Sequence, residues 1–529
     1  MLRSRLALWL SVFIFPPLAL ALLWLRDDLG VLRRIAGTLA ICLVAIVELF
    51  YVYGMHILWD GNVRPYGVSF ARRSQHDTLV EASRARQRAA APPSPAAPVE
   101  TAESGAPVTT MAPPVTTVTA RADASAAATF AARKTPEKAV PAAYWTDFRG
   151  PNRAGVYAQT EIETAWPASG LPRLWKQPIG AGYASFTVGE GRAYTIEQRR
   201  EQEAITAYEV KSGRELWAFT YPSSFDEVLG GMGPRATPVY HEGMVYSLGA
   251  NGDFYCLSAE TGKPKWSKNV LSDNGAKNVH WAMSASPLVV DEKVIVTPGG
   301  PDGKSIVAYN RLTGEPVWHA LNDRAGYTSP IVARLAGRAQ IVWISGERAV
   351  GLGLEDGNQL WAFPFPAQMD MNCSQPVVVD ETHVLLSSAM GPGAALLEIK
   401  KTGDSYGAQP VWQNNRMKNK FNSSVLYQGN IYGLDEAILA CIDAKTGELK
   451  WKGGRYGFGQ LLLAGSHLVV VTEKGDVVLV RATPESHQEL ARFSAIEGRT
   501  WNIPAIDNGL LLVRNSAEMA CFRLGKATQ

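Results

Sequence analysis

Charge of either sign is scarce in this 529-residue chain: 19% of residues are charged, and 52 Lys and Arg against 49 Asp and Glu leave a formal net charge of +3. So neutral a balance gives no electrostatic footprint for nucleic acid, and that class of partner is excluded. Cysteine is scarcer still. Cys42, Cys256, Cys373, Cys441 and Cys521 lie far apart, with no adjacent pair, no C-x-x-C and no C-x-x-C-H, which removes the simple zinc, c-haem and thioredoxin signatures. The eight histidines show no metal-ligand spacing, and G-x-S-x-G, H-E-x-x-H and G-x-x-x-x-G-K-[ST] are missing. Gly351, Gly353 and Gly357 fall within a strand-and-turn motif and read as turn and strand glycines, not phosphate binders. No metal site and no catalytic residue are predicted.

What the chain does have is glycine and aromatics, 48 Gly, 15 Trp and 18 Tyr, the composition of a protein with many turns and aromatic packing between strands. Long apolar runs occur only at the N-terminus. Leu6 to Leu25 and Ala36 to Trp59 are each long enough to cross a hydrocarbon core of about 30 Å as a helix. They predict a transmembrane helical hairpin over residues 1–60, kinked at Pro16-Pro17. A cleaved signal-like segment followed by one span is the alternative. Arginines flank both runs and continue through Arg64, Arg72 and Arg73, so charge leaves orientation almost tied. Residues 61–142 read as a basic juxtamembrane stretch followed by a disordered Ala/Pro/Thr-rich linker, too poor in apolar surface to offset its ordering entropy.

Beyond Tyr144 a motif recurs: two short strands joined by a Thr-Gly-type turn and ending in tryptophan. It appears as AYEVKSGRELW to Trp217, CLSAETGKPKW to Trp266, AYNRLTGEPVW to Trp318, GLGLEDGNQLW to Trp361 and CIDAKTGELKW to Trp451. Degenerate copies end at Trp412, after a longer turn, and at Phe493, which is expected to replace the tryptophan; Trp175 is an orphan anchor on a lone strand. Spacings of about 40 to 52 residues match a four-stranded propeller blade. After Phe493 the chain supplies only three strands. The strand bearing Trp175 should complete that last blade and close a ring of eight, removing the free sheet edges. The prediction is therefore an all-β, eight-bladed propeller over residues 143–525. Cys256, Cys441 and Cys521 occupy one repeat position in non-neighbouring blades, too far apart for a disulfide.

These repeats resemble the pyrroloquinoline-quinone (PQQ) type, whose strand, Thr-Gly turn and terminal tryptophan dock blade against blade. The opening WTDFRGPNRAGV, Trp145 to Val156, is similar to the first segment of PQQ-like propellers. The resemblance implies a docking role for Trp175, Trp217, Trp266, Trp318, Trp361, Trp412, Trp451 and Phe493. It embraces PQQ-dependent dehydrogenases, which use PQQ with calcium and a catalytic aspartate, and non-catalytic propellers such as the outer-membrane assembly-factor lipoprotein. No aspartate or calcium cluster can be assigned, so no cofactor is predicted, and a quinoprotein alcohol, sugar or polyol dehydrogenase is the alternative to a binding or scaffolding module. The resemblance also implies a bacterial inner-membrane anchor with a periplasmic propeller, and a protein or peptide partner. Propeller geometry directs the search for a site to the loops leading into each innermost strand. Tyr183, Arg235, Trp281, Tyr327, Asn372, Asn422, Gln460 and Trp501 share or adjoin that register, with His280, Arg416, Lys420 and Arg499 adding cationic character suited to an acidic ligand or peptide.

Overall fold

The recurring Thr-Gly turns and tryptophans find their physical reason in how neighbouring blades meet. In the computed structural model, which describes residues 144–526 throughout and residues 12, 15–26, 28–51, 55–60, 64–69 and 73–90 before them, eight antiparallel sheets follow one another around a ring. Blades 1 to 7 are drawn from residues 187–222, 239–269, 288–320, 331–364, 377–414, 425–455 and 460–494. Blade 8 takes three strands from residues 505–523 and its outermost strand from Arg173–Pro178, so the two ends of the propeller share one sheet.

Five of the docking tryptophans lie over the turn glycine of the following blade. A Cβ on Gly213, Gly262, Gly314, Gly357 or Gly447 would come within 3 Å of the indole of Trp175, Trp217, Trp266, Trp318 or Trp412 respectively. The turn needs glycine twice over, because each of these residues also has φ near +70°. The indole Nε1 then donates to a carbonyl of that next blade, Trp175 to Val210 at 2.8 Å, Trp217 to Ala259 at 3.0 Å and Trp412 to Ala444 at 3.2 Å. On the neighbouring strand of its own blade each tryptophan faces Ala207, Cys256, Ala308, Gly351, Leu396, Cys441 or Cys521. All but Leu396 are small. The three repeat-position cysteines are thus packing residues, free and buried, and burial pushes the Cys256 and Cys441 thiols up to about 11.

Three anchors depart from the pattern. Trp451 keeps the bond to the next blade, donating to Thr483 O at 2.8 Å, but the turn it meets has no glycine. Trp361 donates instead to Gln340 Oε1 within its own blade, because blade 5 carries a long hairpin, Gly393–Thr402 with Ser405–Asn414, in place of the tight turn. Phe493 stands two residues past the tryptophan register: Leu479 pairs with Ala491, and Phe493 pairs with Val477. Beside it Trp166, from the segment before the first blade, contributes an edge-on ring at 5.7 Å, and Gly170 lies against the Phe493 ring.

The N-terminal expectations need correction. Helix α1, Pro16–Trp24, and helix α2, Val31–Tyr51, form a hairpin packed through Ala19, Leu23 and Ile41. Yet among the described residues no helix is both long and apolar enough to cross a membrane, so membrane-spanning helices are not supported. Nine residues of α1 rise only about 14 Å, and α2 carries Arg33 and Arg34 at its start and Glu48 near its end. Pro16 begins α1, where a missing N–H is harmless. The predicted second run breaks before its end: strand β1, His56–Trp59, pairs with β2, Pro65–Ser69. Residues 1–11 and 52–54 lie outside the described residues, as does the Ala/Pro/Thr-rich stretch 91–143.

The basic stretch that follows carries a helix of its own. Helix α3, Arg73–Ala90, lies against the shared sheet end. Arg84, 2% exposed, donates to Pro178 O at 3.0 Å and to Tyr208 Oη at 3.2 Å and pairs with Glu215 at 3.2 Å. His76 Nε2 meets Ile179 O at 2.8 Å, and Arg200 pairs with Glu81 at 2.7 Å. An 18-residue helix is marginal in water by itself, so its order comes from this docking. Replacing Arg84 with alanine should cost the helix its hydrogen bonds to Pro178 O and Tyr208 Oη, about 1.5 to 3 kcal/mol for bonds from a charged donor, while Arg199 keeps the Glu215 carboxylate paired. Amide hydrogen exchange over residues 73–90 should then accelerate more than tenfold while the blades keep their protection. Unchanged exchange would mean that the helix does not depend on Arg84.

Candidate functional site

The segment Trp145 to Val156 enters the ring first and seals one end of the channel. Trp145 is wholly buried, and the backbone turns back on itself through left-handed Arg149, Asn152 and Arg153, with φ of 64°, 54° and 57°. Arg153 is held by Asp147 at 2.8 Å and donates to Ser286 O at 3.2 Å and Pro330 O at 2.8 Å, and also to Pro287 O. Arg149 donates to Ser424 O at 3.0 Å, and burial lowers its guanidinium to about 9. Two arginines therefore tie the segment to the loops leading into blades 3, 4 and 6. Strand β3, Val156–Tyr157, then adds in parallel to the far end of the innermost strand of blade 7.

Above this floor lies a cavity of about 340 Å³. Of the predicted ring, Tyr183, Arg235, Trp281, Tyr327, Gln460 and Trp501 line it, together with Lys420. Tyr183 stacks on Trp501 at 5.4 Å, Trp501 meets Phe421 at 4.6 Å, and Trp281 meets Tyr327 at 6.0 Å. Cations back these rings. Arg499 lies 4.3 Å over Trp501 and donates to Tyr183 Oη at 2.6 Å, Arg235 lies 5.6 Å from the Tyr183 ring, and Lys420 lies 5.4 Å from Phe421 and 5.1 Å from Phe458. Burial lowers the pKa of both Arg235 and Lys420. Gln460 Nε2 donates to Phe421 O at 2.7 Å and Trp501 O at 2.8 Å, which fixes two loops of the rim.

Asn372 and Asn422 do not join the lining. Both are 1% exposed: Asn372 donates to Ser345 O and Phe365 O inside the wall, and Asn422 accepts from Asn419. Their neighbours Met371, Cys373 and Phe421 face the cavity instead, since one step along an extended chain reverses the side chain. His280 packs edge-on against Trp281 at 4.5 Å, and Arg416 is an exposed residue outside the lining. Sequence reasoning missed Phe148, which reaches the cavity from the sealing segment, and a sulfur-rich wall of Met369, Met371, Cys373 and Met390. It also missed Asp60, between β1 and β2, which lines the cavity from the N-terminal side. Only the conspicuous Trp145 to Val156 motif could have signalled any of these.

A quinone with calcium, which the repeat resemblance raises, would need six to eight oxygen ligands about 2.3–2.6 Å from the ion. The cavity lining offers one carboxylate, Asp60, amid aromatic rings, thioethers and a thiol that burial pushes up to about 12. Among the described residues no group of three or more His, Cys, Asp or Glu could hold a metal. These residues do not fit the quinone–calcium pair.

Comparisons with known proteins agree on the fold. Residues 200–453 match the family model described as outer membrane protein assembly factor BamB. The quinohemoprotein alcohol dehydrogenase of Pseudomonas putida HK5 superposes with a TM-score of 0.53 at 12% identity, over 73% of this chain and 81% of that one. The Comamonas testosteroni quinohemoprotein alcohol dehydrogenase gives 0.51 at 13% identity over the same shares. BamB from Moraxella catarrhalis gives 0.48 at 13% identity, over 68% of this chain and 99% of that one. No curated protein matches the sequence. At such identities the superpositions speak for architecture alone. Through the repeats of residues 200–453, the chain is similar to the PQQ-like propeller proteins related to BamB.

Proposed function

We propose that this propeller is a non-catalytic binding module whose site is the channel-mouth cavity, and that its partner is a protein or peptide. One observation carries the reading: the blades line the cavity with stacked aromatics, methionines and the cations Arg235 and Lys420, yet contribute no carboxylate to it. A dehydrogenase needs a base and an ordered electrophile beside the reacting carbon. A recognition surface needs rigid aromatic anchors and adaptable apolar contacts, which these residues supply.

The test compares capture from native extracts by the full chain and by its Trp281→Ala/Phe421→Ala double variant. A protein or peptide should be retained by the former and reduced at least tenfold by the latter. Alongside it, saturating PQQ and calcium should neither raise the melting temperature nor support dye reduction. Equal capture by both proteins, or quinone-dependent oxidation, would overturn the reading.

A further inference from the structure

Among the described residues, the one carboxylate that lines the cavity comes from outside the propeller. Asp60 closes the N-terminal hairpin, its backbone N–H donating to Arg64 O at 3.0 Å and its Oδ1 accepting from the Arg64 N–H at 2.9 Å. Its neighbour Trp59 presents a carbonyl to Arg499 Nη1 at 3.5 Å, on the guanidinium that covers Trp501. The Asp60 charge acts favourably on the Lys420 ammonium, against the burial that disfavours it. A peptide segment with an acidic side chain is therefore seated across the cationic, aromatic rim, where its carboxylate joins the Glu473 and Glu436 charges of the blades in favouring the Lys420 ammonium. Helix α3, which begins four residues after the hairpin's last strand residue, is docked on the propeller by Arg84 and Glu81, which holds this segment near the rim at a high effective concentration.

We propose that the partner of this cavity is an acidic peptide segment, and that the β1–β2 hairpin is its intramolecular competitor, with Asp60 in the place of the partner's carboxylate. This rests on the binding-module reading and names its ligand class. Arg235, Lys420 and Arg499 receive the acid, and the ring set of Tyr183, Phe421 and Trp501 receives the residue beside it. Partner binding then requires the hairpin to leave, and the partner's affinity is reduced by the fraction of molecules in which the hairpin is seated.

The test uses a fluorescein-labelled peptide with the sequence of residues 55–69, read by anisotropy against the full-length protein. Asp60→Arg in the protein places a cation against Lys420 and Arg499 and should unseat the hairpin. Asp60→Asn removes the attraction with a smaller change of shape. Both variants should bind the peptide at least tenfold more tightly than the unmodified protein. The same peptide carrying Asp60→Asn should bind them at least tenfold more weakly, and adding Lys420→Glu to Asp60→Arg should abolish binding. Equal affinity for both peptides, equal affinity of all proteins, or no binding to any of them would overturn the proposal. If the peptide results fail while the capture contrast at Trp281 and Phe421 stands, the cavity remains a binding site and only the acidic class and the competing hairpin fall.

Discussion

Replacing Trp266 with alanine is expected to destabilise the propeller by about 3 to 5 kcal/mol, the range for losing a large aromatic from a packed interface. The side chain joins two blades. It rests on Gly314 of blade 3, donates to Arg311 O at 3.0 Å and meets Phe254 of its own blade edge-on at 5.2 Å. For roughly 380 ordered residues, an unfolding entropy of about 2.1 cal/mol/K each converts this loss into a fall of about 4 to 6 °C in Tm, measurable by calorimetry. Gly314→Ala should also destabilise, because its Cβ would lie 2.9 Å from the indole and its φ is +74°. The two effects should not add, since either substitution breaks the same stack. Trp361 provides the contrast: its indole bonds Gln340 in its own blade, and nothing stands within 4 Å of a Cβ on Gly403, in the long turn of blade 5. Trp361→Ala and Gly403→Ala should therefore be additive. A Trp266→Ala protein melting within a degree of the unmodified one would remove the blade-docking account.

That contact also explains how much of the architecture was legible in the sequence. A tryptophan that must lie on a glycine turn in the next blade forces both residues to recur at one spacing, and the recurrence can be counted without a structure. The lone strand of Trp175 was legible for the same reason, its partner turn ending at Gly213. Phe493 misled because its blade has no tryptophan and Trp166 arrives from a distant segment to pack beside it. The site was half legible. Loop register placed Tyr183, Trp281, Tyr327 and Trp501 at the rim, but alternation in the loops turned Asn372 and Asn422 into the wall and brought Cys373 and Phe421 forward. Helix α3, the Asp60 hairpin and the arginines of the sealing segment depend on contacts more than 90 residues apart in sequence. No local pattern encodes those.

Stability should also fall as pH rises from about 4.5 to about 7, through one buried carboxyl group. Glu203, on the third strand of blade 1, is completely buried; it accepts from Tyr221 Oη at 2.6 Å and from the Ala250 N–H at 2.9 Å. Burial is the main cause that raises its pKa to about 7, and the nearby Asp253 charge adds to it. These two hydrogen bonds work in the opposite direction without overcoming burial. Because the folded pKa is the higher one, the native state holds a proton that the unfolded chain releases between these values, and raising pH there favours unfolding. At about 1.4 kcal/mol per pKa unit the group costs on the order of 3 kcal/mol above pH 7 relative to pH 4. Glu203→Gln keeps the shape and removes the titration. Denaturation curves of this variant should lose that component of the pH dependence, and at pH 8 it should exceed the unmodified protein by about 2 to 3 kcal/mol. The margin should shrink toward zero by pH 4, where the carboxyl is protonated in both states. Parallel stability curves for the two proteins from pH 4 to 8 would show that Glu203 ionises in the folded protein as it does in the unfolded chain.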